Sequence, residues 1–202
     1  MLALRVPFVL ASASPRRRDL LARLGLHANV RPTDTDETWP GGAPGAAVEA
    51  IALRKARAVR APGALVLGAD TVVVLNGDVL GKPPTPDAAR ATLRRLSGRT
   101  HTVYTGLALV HDGRTATDHR ATRVTFADLS DAEIAAYVAT GSPLDKAGAY
   151  GIQDDAGALF VEAVDGDYPT VVGLPLRAFY AALRTHFPDL LAGPLADVRP
   201  DA

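Results

Sequence analysis

The sequence predicts an α/β protein in which a mixed sheet is flanked by helices. Three observations carry this. Helix-forming and strand-forming segments alternate along most of the 202 residues. Two turn dipeptides, Asn76-Gly77 and Asp112-Gly113, each join β-forming runs and announce hairpins. Alternation alone would give a parallel sheet, and hairpins inside it require a mixed one. A hydrophobic content of 48% is enough for a sizeable core at a length typical of one domain.

The elements follow in order. Residues 6–11 read as a buried strand. Ser14 is the expected N-cap of a helix with Pro15 at its first position, ending at Gly25. Residues 26–31 suggest a second strand, and a polar loop carrying Asp34, Asp36 and Glu37 comes next. Pro44 opens a long helix to about Arg60, with Ala47, Ile51 and Ala58 on its buried side. Residues 64–75 are strongly β-forming, with Gly68-Ala69-Asp70 as an expected break. Thr85-Pro86 starts a helix that stops at Ser97-Gly98. Residues 100–111 and 114–126 form the second hairpin. Ser130 and Glu133 spell a capping box. Residues 158–164 and 170–173 read as short strands, and Pro175 opens a last helix to about Phe187. The expected organisation is a single domain over 1–187 and a Pro/Gly/Ala-rich tail over 188–202 that frays.

Composition excludes much. The formal net charge is zero, so no bulk charge points to nucleic acid or an anionic membrane. Without cysteine there are no disulfides, thiolate metal sites or cysteine nucleophiles. No apolar run approaches the ~18 residues of a membrane span. The N-terminal stretch lacks a basic leader and ends in Arg16, Arg17 and Arg18, so it reads as a first strand in a cytoplasmic protein. Phosphate-loop, GxGxxG, GxSxG and HExxH patterns are absent. His101, His111, His119 and His186 read as surface or edge residues. The cations are 19 Arg and 3 Lys, the anions 18 Asp and 4 Glu, which singles out Lys55, Lys82, Lys146, Glu37 and Glu49.

Several groups are suited to chemistry. Ser12-Ala-Ser-Pro-Arg16-Arg17-Arg18 places cations at a helix start, which opposes the helix dipole unless an anion binds there. The competing reading is a solvated basic face. Asp34, Asp36 and Glu37 offer oxygens to Mg²⁺ or Mn²⁺, against the plainer reading of a polar loop. Lys55 is either a ligand for anions or the solvated end of its helix, and Glu49 reads as a surface residue. Asp70 is costly inside an apolar strand unless it is paired, protonated or bound to a cation, so it is a candidate base or metal ligand. Lys82 leaves the strand just after the first hairpin. Lys146 and Gln153 lie in a glycine-rich stretch, where an amide could read a base edge through one donor and one acceptor. Taken together this is an inventory for attack on a nucleotide phosphate.

At this point the chain resembles a known family. LASASPRR, TDTDE, LRKARA, LGADTVVVLNGDVLGKP, LRRLSGRTHTVYTG, LDKAGAYGIQ and VDGDYPTVVGLPL are similar to the signature blocks of the Maf family, in order over residues 8–176. That family comprises nucleoside triphosphate pyrophosphatases historically linked to inhibition of septum formation. The resemblance implies a mixed α/β fold with a deep cleft between two lobes, similar to inosine-triphosphate pyrophosphatases. It implies cleavage between the α and β phosphates with a divalent cation, Mg²⁺ or Mn²⁺. Asp70 matches the proton acceptor and, with Glu37, the metal-binding positions. Ser12, Arg16, Lys55 and Lys82 match substrate-binding positions. Arg17, Thr71 and Gln153 match positions tied to substrate choice, and their pattern is that of the subgroup preferring dTTP and UTP. Two departures stand out: Thr35 replaces an aliphatic residue, and Asp154-Asp155 makes the segment after Gln153 longer and more acidic. The expected partner is a small nucleoside triphosphate, with no nucleic acid and no membrane, and a homodimer is left open. The rival reading is a division regulator that acts by protein binding and retains a vestigial nucleotide pocket.

Overall fold

Why the chain folds as a mixed sheet is visible in its pairings. The computed structural model describes residues 1–193. β1 (Phe8–Leu10) is fully buried and pairs in parallel with β2 (Asn29–Val30) and with β3 (Leu65–Leu75). β4 (Asp78–Leu80) folds back antiparallel on β3. β5 (Thr100–His111) and β6 (Arg114–Phe126) follow, and β7 (Val161–Asp165) pairs antiparallel with β6. The strand order is β2-β1-β3-β5-β6-β7, with β4 beside β3. Both predicted hairpin turns are present. Asn76 and Gly77 have φ of 52° and 88°, and Asp112 and Gly113 have 43° and 84°, the left-handed pairs that match the twist of antiparallel strands.

The helices are α1 (Pro15–Arg23), α2 (Pro44–Ala58), α3 (Pro86–Leu96), α4 (Asp131–Ala139), α5 (Asp155–Ala158), α6 (Tyr168–Val172) and α7 (Leu176–His186). Among the described residues no helix is long and apolar enough to cross a membrane. The Ser130–Glu133 capping box forms in full at α4.

Two compact units divide the chain. Among the described residues, the first takes Met1–Asp70, Gly106–His119 and 173–193; the second takes Thr71–Thr105 and Arg120–Val172. In the first, Val9, Ala11, Ala52, Ala56, Val66 and Ala108 form a core of small side chains. Small residues let backbones approach. A Cβ on Gly68 would lie 2.1 Å from the Ala52 carbonyl oxygen, and one on Gly106 would lie 2.5 Å from the Val48 carbonyl carbon. α2 therefore rests directly on the backbones of β3 and β5. In the second unit the core is aromatic. Phe126 stacks edge-on with His101 and Tyr150, and Phe160 packs against Phe126 and Tyr137.

The structure corrects several expectations. β3 runs unbroken through Gly68-Ala69-Asp70, because the missing Cβ of Gly68 serves the helix above it and makes no bulge. β2 is two residues long instead of six, and both are exposed. Residues 170–173 end a helix, not a strand. Asp167 caps it by accepting from the Thr170 amide at 2.9 Å and hydroxyl at 2.6 Å, and capping outweighs the β propensity of Thr-Val-Val. Ala58 is exposed at the end of α2. Ser14 stands at the N-cap of α1 but makes no side-chain cap. Pro188–Leu190 form a turn of 3₁₀ helix and Leu191 bridges to Leu4, so the start of the tail is fixed. The remainder of the predicted tail, 194–202, lies outside the described residues.

Candidate active site

The first unit gathers six of the nine predicted site residues: Ser12, Arg16, Arg17, Glu37, Lys55 and Asp70. Asp70 ends the part of β3 that lies in this unit, and its side chain is 11% exposed. Val48, Ala52, Lys55 and Ala56 recur at the spacing of one helical face, and all four are buried. Lys55 thus occupies the stripe that α2 lays on β3 instead of a solvated helix end. Its ammonium donates to Asp70 Oδ1 at 2.7 Å and lies 2.9 Å from Glu37 Oε1. An ammonium carries three donors, and two carboxylates take two of them.

The loop before α2 sorts its acids by geometry. Glu37 reaches Lys55. Asp36 turns back on its own loop, accepting from the Thr38 amide at 2.7 Å. Hydrogen bonds from Thr38 hold the Asp36 carboxyl below its usual range, with Arg54 adding to the effect. Asp34 is exposed.

Ser12 follows β1 and is nearly buried. Its Oγ accepts from the Ser14 amide at 3.3 Å and from Arg17 Nη1 at 2.8 Å. Arg17 also donates through Nε to the Gly173 carbonyl at 2.8 Å. Burial pushes its guanidinium below the ordinary arginine value. Asp70 pulls it back, Arg16 adds to the lowering, and Glu37 opposes it. Arginine remains a cation through shifts of this kind. The Arg17 side chain is therefore engaged in holding Ser12, while Arg16, beside it, is half-buried.

Thr71, Lys82 and Gln153 belong to the second unit. Thr71 is next to Asp70 in β3, and its hydroxyl lies 2.9 Å from that of Thr105. Thr105 donates its single hydroxyl proton to the Thr170 carbonyl at 2.7 Å. The Thr71 proton therefore goes to Thr105, and Thr71 offers other groups only its oxygen lone pairs. Lys82 is exposed just beyond β4. Gln153 is exposed, with its Nε2 donating to Asp154 Oδ1 at 3.1 Å.

Other polar residues, read as surface or edge groups, make defined contacts within the fold. Glu49, read as a surface group, accepts from the Thr117 hydroxyl at 2.6 Å and pairs with His119 Nδ1. The His119 ring occupies the space a Cβ on Gly45 would need. His101 and His111 are buried, contrary to the surface reading. His111 Nδ1 lies 3.2 Å from the Ala64 carbonyl, and His101 Nε2 lies 2.9 Å from the Tyr150 hydroxyl. Sequence reasoning missed Tyr137 and Ser142, which surround Asp154. The only signal was Gly151, where a Cβ would stand 2.6 Å from the Asp154 carboxylate.

Among the described residues no group of three or more His, Cys, Asp or Glu side chains is arranged to hold a metal ion. Glu37 and Asp70 do converge on one ammonium nitrogen. Mg²⁺ is commonly held by one or two carboxylates, with substrate phosphates and water filling the other positions. The donor set fits that mode, with oxygen ligands only, and Mn²⁺ accepts the same ligands.

A lysine held between two carboxylates and a serine held by a buried arginine are polar groups the first unit sets inside its fold. The chain belongs to the Maf-like protein family, whose model matches residues 7–186. It is 56% identical over 196 residues to the dTTP/UTP pyrophosphatase of Salinibacter ruber, covering 95% of this chain and 96% of that one. It is 60% identical over 173 residues to the dTTP/UTP pyrophosphatase of Moorella thermoacetica, covering 83% and 89%. The same name belongs to a relative from Anaeromyxobacter dehalogenans, 55% identical over 181 residues, covering 87% of this chain and 92% of that one.

Proposed function

We propose that this chain is a cytoplasmic nucleoside triphosphate pyrophosphatase that hydrolyses dTTP and UTP to the monophosphate and pyrophosphate. The observation that carries the reading is Lys55, bracketed by Glu37 and Asp70 in a chain matching dTTP/UTP pyrophosphatases over nearly its whole length.

In this reading Asp70 is the proton acceptor. Lys55 fixes Oδ1 and so orients the carboxylate. Asp70 takes a proton from water as the water oxygen bonds to the α phosphorus. The bond from that phosphorus to the oxygen bridging α and β then breaks, and the electron pair leaves with pyrophosphate. Such transfers depend on positioning and on charge stabilisation more than on covalent help from the protein. Lys55 and Arg16, in the first unit, supply positive charge to the phosphates, and Lys82 is assigned to substrate by the resemblance alone. Ser12, held by Arg17, supplies a polar contact beside the start of α1. Ser14 leaves that helix start without a side-chain cap, and uncapped N–H groups favour phosphate. Glu37 and Asp70 would hold a divalent ion, Mg²⁺ or Mn²⁺, which when bound neutralises phosphate charge.

The test is turnover by the purified chain on dTTP, UTP, CTP, GTP and 7-methyl-GTP, with Mg²⁺ and with Mn²⁺, and products separated by chromatography. Monophosphate and pyrophosphate, formed fastest from dTTP or UTP, support the proposal. Diphosphate and phosphate would overturn the assigned bond, and full turnover by Asp70→Asn would remove Asp70 as base.

A further inference from the structure

We infer that Asp154 is a positioning residue that fixes which way the Gln153 carboxamide faces, and so sets the choice between uracil-type and cytosine-type bases. The inference deepens the proposed function and rests on it, because it takes Gln153 as the residue that meets the base.

The geometry begins with how firmly Asp154 is held. Its Oδ2 accepts from the Ser142 hydroxyl at 2.6 Å and from the Tyr137 hydroxyl at 3.3 Å, and lies 3.2 Å from the Lys146 ammonium. Each anchor is itself tied down. Tyr137 accepts from the Gly151 amide at 3.1 Å. Lys146, only 8% exposed, also donates to the Ser142 carbonyl and to Asp145, each at 2.7 Å. Gly151 and Gly157 make room, since a Cβ on Gly157 would lie 2.4 Å from the Gly151 carbonyl oxygen. With Oδ2 occupied three ways, Oδ1 is the oxygen that receives Gln153 Nε2.

A carboxylate only accepts hydrogen bonds, so the end of the amide facing it must be the NH₂. The Gln153 carbonyl then faces away, with one N–H left beside it. Turning the amide over would set its carbonyl oxygen against the carboxylate, acceptor against acceptor. An unanchored glutamine flips to suit either base; this one is locked. Thr71 is restricted in the same sense, because its proton is committed to Thr105. Uracil and thymine present an N3–H donor, which a fixed carbonyl accepts. Cytosine presents a bare N3 acceptor at that position, which a fixed carbonyl repels. The locked carboxamide favours the imide base and penalises the amino base.

The experiment measures kcat and KM of the full chain for UTP, CTP, dTTP and dCTP. It compares wild type, Asp154→Asn, Gln153→Ala and the double variant. An amide at 154 keeps the size and, with its oxygen on the three anchors, turns its NH₂ toward Gln153, which favours the Gln153 carbonyl facing it. The ratio of kcat/KM for UTP over CTP should fall about tenfold in Asp154→Asn, mainly through KM for UTP. In the Gln153→Ala background the same change should leave the ratio where Gln153→Ala put it. A loosened loop would slow both substrates alike, so the ratio separates positioning from mere support. If Asp154→Asn does not fold, Asp154→Ser removes the carboxylate and reads the same ratio. An unchanged ratio with active wild type would overturn this inference alone. Wild type inactive on every pyrimidine triphosphate would overturn the proposed function, and this with it.

Discussion

The two units each bury a lysine to the same depth, and they use it differently. Lys55 and Lys146 are both 8% exposed in their side chains. In a chain with three lysines against nineteen arginines, neither is filler. Lys146 donates to the carbonyl and hydroxyl of Ser142 and to Asp145, with Asp154 at 3.2 Å. Its three protons are fully spoken for. Lys55 meets two carboxylates, Asp70 and Glu37, and, among the described residues, no backbone oxygen. Burial alone does not mark a functional cation. What distinguishes them is how many acceptors the fold supplies: a complete set makes an anchor, and two carboxylates leave Lys55 a third donor, which the proposed function assigns to phosphate.

The largest expected effect breaks the Lys55 side. Asp70→Asn should lower turnover by about 10²–10⁴, the range for loss of a general base, and should also cost some stability, because it removes the charge of a buried pair while keeping an acceptor for Lys55. Lys55→Met should also lower turnover by at least about 10², because charge stabilisation dominates phosphoryl transfer. Lys146→Met should reverse the balance. Removing one partner of a buried pair costs about 3–5 kcal/mol in full burial and less where the partner is exposed. Asp145 is 62% exposed and Asp154 is 23% exposed, so about 1–3 kcal/mol of stability is expected to go. Denaturant unfolding beside kinetics separates the two outcomes. If Lys146→Met loses activity at full stability, the contrast between anchor and ligand group fails.

These two lysines also show what was legible in the sequence. Lys55 could have been placed, because it falls on the Val48–Ala52–Ala56 face. A count of apolar residues hides it, since a charged residue scores against the very stripe it occupies. Lys146 had no such pattern, for its partners Ser142, Asp145 and Asp154 lie in irregular loops whose path no periodicity describes. Elements signalled twice were read correctly: the Asn76-Gly77 and Asp112-Gly113 hairpins, and the Ser130–Glu133 box. Where a single propensity was followed, a tertiary demand overrode it. Thr170 is fully buried under the Asp167 cap, and Gly68 lies under Ala52. Glu37, not Asp34 or Asp36, is the loop acid that pairs with Lys55. Spacing cannot decide that, because Asp36 is captured locally by Thr38.

Burial can also be met by giving up charge, as His101 does in the second unit. Burial lowers its value from 6.5 to about 4, because the imidazolium is disfavoured among Phe126 and Tyr150. The Tyr150 hydroxyl, its partner, is pushed well above the usual phenol range by the same burial. The unfolded ring takes its proton as pH falls through 6.5, and the folded ring does not until about 4. His101 therefore costs stability progressively across that window and contributes a constant amount above and below it. The loss amounts to about 3 kcal/mol. His101→Gln should flatten this part of the stability curve, measured by urea midpoints at about pH 7 and about pH 5. An equally steep fall in the variant would show that the carboxylates, not His101, set the acid limit.

The smallest effect sharpens the contrast at the level of a single hydroxyl. Ser14 and Ser130 stand at the N-cap of their helices, but the third residue on is Arg17 after Ser14 and Glu133 after Ser130. Ser130 accepts from the Glu133 amide at 3.3 Å, while Glu133 accepts from the Ser130 amide at 2.8 Å. Hydrogen bonds from Ser130 hold Glu133 below its usual carboxylate range. Ser14 does none of this: its hydroxyl makes no cap, its amide donates to Ser12 Oγ, and the third helical residue, Arg17, has no side-chain acceptor for it. Ser130→Ala should cost about 1 kcal/mol, the worth of an N-cap, and Ser14→Ala a few tenths at most. Chemical denaturation of both variants checks this. Equal losses would mean that Ser14 caps α1 after all. The uncapped start of α1 would then cease to distinguish it from the capped start of α4.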